Sequence, residues 1–217
     1  MPTIKNYLSL VKFSHTVFAM PFALIGFALA VRYGTPIKLL FQNPFEFHVN
    51  GQVMHGLNPA LKFYLKIFVL IIVCMVTARS AAMAFNRYLD RNFDAKNPRT
   101  ALREIPRGII SSPHALRFVI INCILFIIAT FFINKICFYL SPLALFVVLF
   151  YSYTKRFTPL CHLVLGMGLS LAPIGAYLAV TGEFAWLPLL FSFSVIFWVS
   201  GFDIIYALQD EDFDKEN

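Results

Sequence analysis

The stretch NRYLDRNFDAKNPRT, residues 86–100, decides the fold because it places acids, bases and an asparagine directly after a long apolar run. On a helix, Asn86, Asp90 and Asp94 are spaced i, i+4, i+8, so they lie on one face within an arc of roughly 80°. The sequence therefore predicts a row of oxygen-bearing side chains along one side of a helix end.

The composition favours a protein with several membrane-spanning helices. Of the 217 residues, 59% are hydrophobic and only 13% are charged, whereas soluble globular chains carry about 25% charged residues. No alternation typical of barrel strands is present, so we predict an all-α, multi-span transmembrane helical bundle that forms a single domain, 1–217. Apolar runs that approach the length of a span lie near 13–32, 63–85, 116–134, 136–153, 160–180 and 186–206.

Basic residues gather in the predicted loops on one side of the membrane. The loop after the second span is the richest, and the loops on the other side carry fewer basic residues. The positive-inside rule therefore predicts a cytoplasmic N-terminus, with the ends of spans two, four and six in the cytoplasm. The net charge of +7 is then mostly a topology signal, and nucleic acid is not an expected partner.

A second acidic stretch, DIIYALQDEDFD (203–214), leaves the sixth span on the same predicted side. Asp203, Asp210 and Asp214 fall within roughly 40° of one another on a helix, and Tyr206 borders the same stripe. Two helices thus present acidic rows to one compartment, where we expect them to share a pocket.

A solvated helix end is the simpler explanation for charges near a membrane surface. It suits Arg87, Arg91, Glu211 and Asp212, and we predict those side chains to be solvated. It does not suit Arg79, which lies within roughly 20° of the face of the first row and about 10 Å deeper in the membrane. A charge at that depth is costly unless it faces a cavity or a partner, so Arg79 is predicted to be functional.

Acid rows beside basic loops indicate a site for a diphosphate and magnesium. Carboxylates repel a diphosphate directly, but Mg²⁺ accepts one or two carboxylates and completes its coordination with phosphate oxygens and water. Arginines supply further donors to phosphate. A diphosphate held in this way becomes a good leaving group, because the negative charge that develops on it is already neutralised.

Asn86-x-x-x-Asp90-x-x-x-Asp94 followed by NPRTALREIPRG, together with Asp203-x-x-Tyr206-x-x-x-Asp210-x-x-x-Asp214, resembles the UbiA family of intramembrane prenyltransferases. FSHTVFAMPFAL, ARSAAMAFNR, YSYTKRFTPLCHLVLG and LAPIGAYLAVTG extend the resemblance along the chain. It is closest to the 4-hydroxybenzoate polyprenyltransferase-like branch, which includes menaquinone-pathway members.

The resemblance implies a nine-helix bundle with a central cavity open to lipid, six spans of which are present here, so the chain is expected to be truncated at its C-terminus. It implies Mg²⁺-dependent transfer of a polyprenyl group from polyprenyl diphosphate to an aromatic acceptor in quinone biosynthesis, at an inner membrane. The implied metal-diphosphate set is Asn86, Asp90, Asp94, Asp203, Asp210 and Asp214. The implied substrate-binding residues are Arg99, Arg103, Lys155, Arg156, Tyr206, Lys12 and His15.

Other functions remain as alternatives. A multi-span transporter also uses intramembrane charges, although usually near the bilayer midplane on broken helices. A CDP-alcohol phosphotransferase has an acidic motif at the membrane edge, but its Gly and Ala-Arg spacing is lacking in DRNFDAKNPRT. The acceptor stays open between 4-hydroxybenzoate, a naphthoate and a futalosine-pathway intermediate.

Overall fold

The computed structural model describes residues 3–12, 16–34, 46–49, 52–55 and 58–208. Seven helices and one β-hairpin are found in these ranges. In chain order they are α1 (Ile4–Leu10), α2 (Thr16–Gly34), β1 (Glu46–Val49), β2 (Gln52–His55), α3 (Pro59–Asp94), α4 (Ser112–Ile133), α5 (Lys135–Thr154), α6 (Cys161–Thr181) and α7 (Trp186–Ala207).

The helices α3 to α7 are each long and apolar enough to cross a bilayer, which makes the chain a multi-pass membrane protein. The first predicted span does not meet that standard. Its described apolar part, Ala19–Tyr33, is a shorter helix, which is about 22 Å long at 1.5 Å per residue. The described residues therefore contain five candidate spans where the sequence predicted six.

The predicted all-α helical bundle is confirmed, and the long loop before α3 adds a short β-hairpin that was not predicted. The two strands pair antiparallel, with Glu46 opposite His55 and Val49 opposite Gln52. The sequence between them is Asn50-Gly51, a dipeptide that favours hairpins with two-residue connections. The rest of the described chain has the predicted helical architecture.

Small residues allow the helices of the bundle to pack closely. This is common in membranes, where the hydrophobic effect does not drive helices together and close van der Waals packing is needed. A Cβ atom on Gly166 of α6 would lie 2.5 Å from the carbonyl oxygen of Ile196 on α7. One on Gly26 of α2 would lie 2.0 Å from the carbonyl oxygen of Pro173 on α6. These two glycines therefore permit backbone contact that a larger residue would prevent, and they fix α6 against both of its neighbours.

The longest helix, α3, has 36 residues and a length of about 54 Å. It begins with Pro59 as its first residue, and the side chain of Asn58 accepts a hydrogen bond from the backbone N–H of Ala60 at 2.9 Å. Both features are typical of helix starts. The helix continues unbroken through the first acidic row to Asp94, so the span and the row form one element.

Candidate active site

The first acidic row lies at the C-terminal end of α3, where it contacts the connection between α5 and α6. Asp90 and Asp94 are both buried. Lys155 forms an ion pair with Asp90 through its Nζ, which also donates a hydrogen bond to Asn86 Oδ1 at 2.7 Å. Arg156 Nη2 lies 3.7 Å from the other oxygen of Asp90. The basic pair of this connection therefore neutralises the middle of the row.

The end of the row is held by the loop that follows α3. Arg103 Nη1 donates to both carboxylate oxygens of Asp94, at 2.8 and 2.9 Å. The hydroxyl of Thr100 donates to the backbone oxygen of Asp94 at 3.1 Å. The loop therefore folds back over the helix end, and Arg103 contacts the first row.

The prediction of a solvated Arg87 is wrong. Arg87 is only 5% exposed and forms an ion pair with Glu104. Its Nη1 also lies 3.4 Å from the backbone oxygen of Ser9, whose hydroxyl donates to Glu104. A buried guanidinium needs such partners because removal from water is costly, and here the loop after α3 and the N-terminal helix supply them.

Lys12 lies just after α1 with a φ of 42°, a left-handed value that is uncommon outside glycine. The pKa of Lys12 lies below its usual value because burial disfavours the charged ammonium. Nearby positive charges act in the same direction, and they belong to Arg87, Arg103 and Arg99. Lys12 and Arg99 therefore belong to an electropositive region beside Asp94, which is suited to an anion.

Arg79 lies on α3, two turns before Asn86. Its Nε is shielded from solvent and has no hydrogen-bond partner among the described residues. The same holds, within those residues, for the hydroxyl of Ser152 near the end of α5. The carboxylate of Asp90 is paired instead with the α5–α6 connection, so the role of Arg79 stays a prediction.

The second row is represented by Asp203 on α7, whose partners were not predicted from the sequence. His162 Nδ1 and Asp203 Oδ2 are hydrogen-bonded at 2.7 Å, and the hydroxyl of Tyr151 also interacts with Asp203. Tyr206 is 48% exposed and stacks on Phe202, with 6.0 Å between ring centroids. A histidine at the start of an apolar helix was the available signal, since ionisable groups in spans usually have a function.

His15, Asp210 and Asp214 lie outside the described residues, as does Asp212, so the joint metal set stays a prediction. Within the described ranges, no three His, Cys, Asp or Glu side chains are grouped to hold a metal ion. The first row nevertheless has suitable chemistry, because the Lys155 ammonium is a cation held between an amide oxygen and a carboxylate. Hard oxygen donors of this kind fit Mg²⁺.

A cavity of about 510 Å³ lies near the opposite end of α3 from the row. Tyr33, Tyr64, Tyr177 and Glu183 contribute to its lining. Since the lining includes Ala60, near the start of α3, this cavity is separate from the site of the acidic rows.

Comparison with known proteins places these features in a family. Residues 55–217 match the model of the UbiA prenyltransferase family. The chain belongs to this family. The match includes both acidic stretches and the α5–α6 connection, so the resemblance expected from the motifs is confirmed.

Relatives in the UbiA family include enzymes named 4-hydroxybenzoate octaprenyltransferase. The protein of that name from Actinobacillus pleuropneumoniae serotype 5b (strain L20) is 33% identical over 195 residues, which cover 88% of this chain and 63% of the relative. The one from Tolumonas auensis is 35% identical over 136 residues, which cover 63% of this chain and 48% of the relative. The chain thus spans less than two thirds of the length of these relatives.

Solved UbiA structures share the fold. The apo structure of a UbiA homologue from Aeropyrum pernix K1 superposes with a TM-score of 0.72 at 32% identity, covering 93% of this chain and 66% of the homologue. A homologue from Archaeoglobus fulgidus, bound to DMAPP and Mg²⁺, gives a TM-score of 0.68 at 19% identity. That alignment covers 97% of this chain and 65% of the homologue.

Proposed function

We propose that this chain carries out Mg²⁺-dependent transfer of a polyprenyl group from polyprenyl diphosphate to an aromatic acceptor. The observation that carries the proposal is the cluster of paired acids and cations at the end of α3, where Lys155 pairs with Asp90 and Arg103 with Asp94. Membership of the UbiA family supports it, as does the Archaeoglobus homologue bound to DMAPP and Mg²⁺.

The two acidic rows are the proposed holders of the metal and the diphosphate. When bound, Mg²⁺ would neutralise the charge that develops on the leaving diphosphate. The amide oxygen of the first row and its carboxylates are suitable hard ligands. The full proposed set is Asn86, Asp90, Asp94, Asp203, Asp210 and Asp214.

The cations around the row are the proposed diphosphate donors. The side chains of Lys155 and Arg103 are each 28% exposed although each pairs with an acid. Each can therefore exchange its carboxylate partner for a diphosphate oxygen without leaving the site. Arg99, Arg156 and Lys12 add positive charge, and fork-shaped guanidinium groups suit phosphate oxygens.

The chemistry requires one bond to break and one to form. The C–O bond of the allylic diphosphate breaks and its electron pair leaves with the diphosphate. A ring carbon of the acceptor supplies the electron pair of the new C–C bond, after which the ring loses a proton. We assign Arg79 to the deeper part of the site and propose Tyr206 and His15 as further substrate-binding residues.

Within this class, 4-hydroxybenzoate or a menaquinone-pathway aromatic acid is the proposed acceptor. The relatives named as 4-hydroxybenzoate octaprenyltransferases support this choice. A carboxylate on the acceptor also suits the basic residues beside the rows. We expect the reaction at the cytoplasmic face of the cell membrane, with the polyprenyl chain in the lipid bilayer.

The proposal is tested with membranes that contain the full chain, incubated with labelled polyprenyl diphosphate and a panel of aromatic acids. Labelled product should form with Mg²⁺ and disappear when EDTA is added. Asp90→Asn should reduce the rate at least about 100-fold, because it removes charge from the proposed metal site without changing side-chain size. Glu183→Gln is the matched control, since it removes an exposed carboxylate from the other end of the bundle.

Release of diphosphate and product from the allylic donor distinguishes the enzyme from a transporter. Transport without bond cleavage, or full activity in Asp90→Asn, would contradict the proposed function. Product formation with one acid in the panel would also identify the acceptor.

A further inference from the structure

The connection between α5 and α6 contacts the helices of both acidic rows. At its start, Lys155 and Arg156 contact the first row on α3. At its end, His162 in the first turn of α6 contacts Asp203 on α7. The eight residues 155–162 therefore connect α3 and α7, two helices that are far apart in sequence.

The contact between His162 and Asp203 combines a short hydrogen bond with partial access to solvent. Nδ1 and Oδ2 are 2.7 Å apart, and the two side chains are 23% and 22% exposed. Tyr151, at the end of α5, also interacts with Asp203. Asp203 is thus held by His162, which lies at the end of the segment that begins with Lys155.

Close backbone packing fixes the same part of α7 against α6. The hydroxyl of Ser200 lies 3.0 Å from the backbone oxygen of His162. One turn further along α6, Gly166 allows the Ile196 carbonyl to approach so closely that a Cβ would lie 2.5 Å away. These contacts hold α7 up to Ser200, and the side chain of Asp203 makes the next contact toward the end of the helix.

Asp203 is the first acid of the second row, seven residues before Asp210 and eleven before Asp214. We propose that His162 is a positioning residue for this row. By its hydrogen bond to Asp203, His162 fixes the rotation of the end of α7 relative to the first row. The same connection contacts the first row through Lys155. The proposal rests on the proposed function in so far as the second row takes part in binding the metal and the diphosphate.

Two substitutions of His162 distinguish the effect of its hydrogen bond to Asp203 from the effect of having a polar side chain at this position. In His162→Asn, an amide nitrogen stands near the place of Nδ1, so the hydrogen bond to Asp203 can be kept. In His162→Gln, the amide stands near the place of Nε2 and is directed away from that bond. His114→Gln is the matched control, because His114 is bonded to Ser111 at the start of α4 and is exposed.

The direct readout is a distance distribution between spin labels at positions 97 and 205, in a background without the native cysteines; Ile205 is an exposed residue near the end of α7. The unsubstituted protein should give one narrow distribution. His162→Gln should broaden or shift it, while His162→Asn and His114→Gln should leave it narrow. This readout requires no turnover and no bound metal, so it stands whether or not the proposed function is correct.

The kinetic readout is the Mg²⁺ concentration that gives half-maximal prenyl transfer. It should rise about 10-fold or more in His162→Gln, as is usual when a residue that orients a metal ligand is replaced. His162→Asn should restore it to within about 3-fold. Asp203→Asn is a second variant that breaks the same contact from α7, and it should raise the requirement as well.

An unchanged distance distribution in both His162→Gln and Asp203→Asn would overturn the inference. An equal rise of the half-maximal Mg²⁺ concentration in His162→Gln and His162→Asn would also overturn it. That result would mean that His162 contributes packing and not the hydrogen bond to Asp203. If the distribution responds as expected but no acceptor is ever prenylated, the positioning role stands and the proposed function fails.

Discussion

Two arginines on the same helix are treated differently by this protein. Arg87 is buried beside Glu104 and the backbone of Ser9. Arg79 lies about two turns deeper, and its Nε is shielded from solvent without a hydrogen-bond partner in the described part of the chain. The Arg87 guanidinium is thus neutralised by an acid of this protein. The Arg79 guanidinium still has an N–H donor that could bind a ligand.

The difference teaches that depth alone does not identify a functional charge in a membrane protein. Removing one member of a buried pair leaves an uncompensated charge and destabilises the fold, which is the situation at Arg87. Arg79 has no such pair within the described residues. We therefore predict that Arg79 contacts a ligand and does not serve stability alone.

The largest effect is expected from Arg79→Met, measured as turnover per inserted protein. The substitution keeps a long side chain that packs in the bundle and removes the donors that we assign to substrate. Turnover should fall about 100-fold or more, as when a preorganised donor is lost from an active site. Insertion and thermal stability should be close to those of the unsubstituted protein.

Near-normal turnover in Arg79→Met would end the comparison, because both arginines would then be structural. Glu183→Gln again serves as the control for insertion.

The next effect is expected from Arg87→Met, and it should appear in stability. Leaving the largely shielded carboxylate of Glu104 without its cation should lower the free energy of unfolding by about 3–5 kcal/mol. Denaturation of the purified protein in detergent measures this loss. In the double variant Arg87→Met/Glu104→Leu much of the stability should return, because apolar groups replace both charges.

A double variant as unstable as Arg87→Met would show that the pair is not what holds this region. In that case the contact of Arg87 with Ser9 would carry the difference.

A smaller effect is expected from Arg79→Lys, which keeps the charge. Lysine lacks the planar fork of the guanidinium, so turnover should recover only in part and remain about 10-fold below that of the unsubstituted protein. The measurement is prenyl transfer at saturating donor. Complete recovery would show that Arg79 acts only as a point charge.

The position of the first acidic row could be predicted from the sequence, but the environment of Arg87 could not. Helical spacing predicted that Asn86, Asp90 and Asp94 share one helix end, since such spacing is a local property. It assigned Arg87 to solvent, because the partner at Glu104 lies in a loop whose return path no local pattern reveals.

The partner of Asp203 was missed for a similar reason. His162 precedes it by 41 residues and meets it only through the packing of α6 on α7. The β-hairpin had a local signal in Asn50-Gly51, which the sequence prediction did not use. The first predicted span, 13–32, begins in residues that lie outside the described part, so its full length stays a prediction.

The smallest effect is expected in a labelling experiment, which tests on which side of the membrane the C-terminal end of α3 lies. Single cysteines at positions 97 and 212, in a background without native cysteines, should be protected from an impermeant reagent added outside intact cells. A cysteine at position 48 should react. The reverse pattern would place the C-terminal end of α3 outside and contradict the orientation predicted from the basic loops.

The unbroken course of α3 has a mechanical consequence. Its apolar run, 63–85, is about 35 Å long, slightly more than the hydrocarbon thickness of about 30 Å, and a span that is longer than its bilayer is thick responds by tilting. Because no hinge separates the span from the first acidic row, any tilt is transmitted rigidly to Asn86, Asp90 and Asp94. The thickness of the lipid bilayer is thus expected to affect the geometry of the acidic row through the tilt of α3.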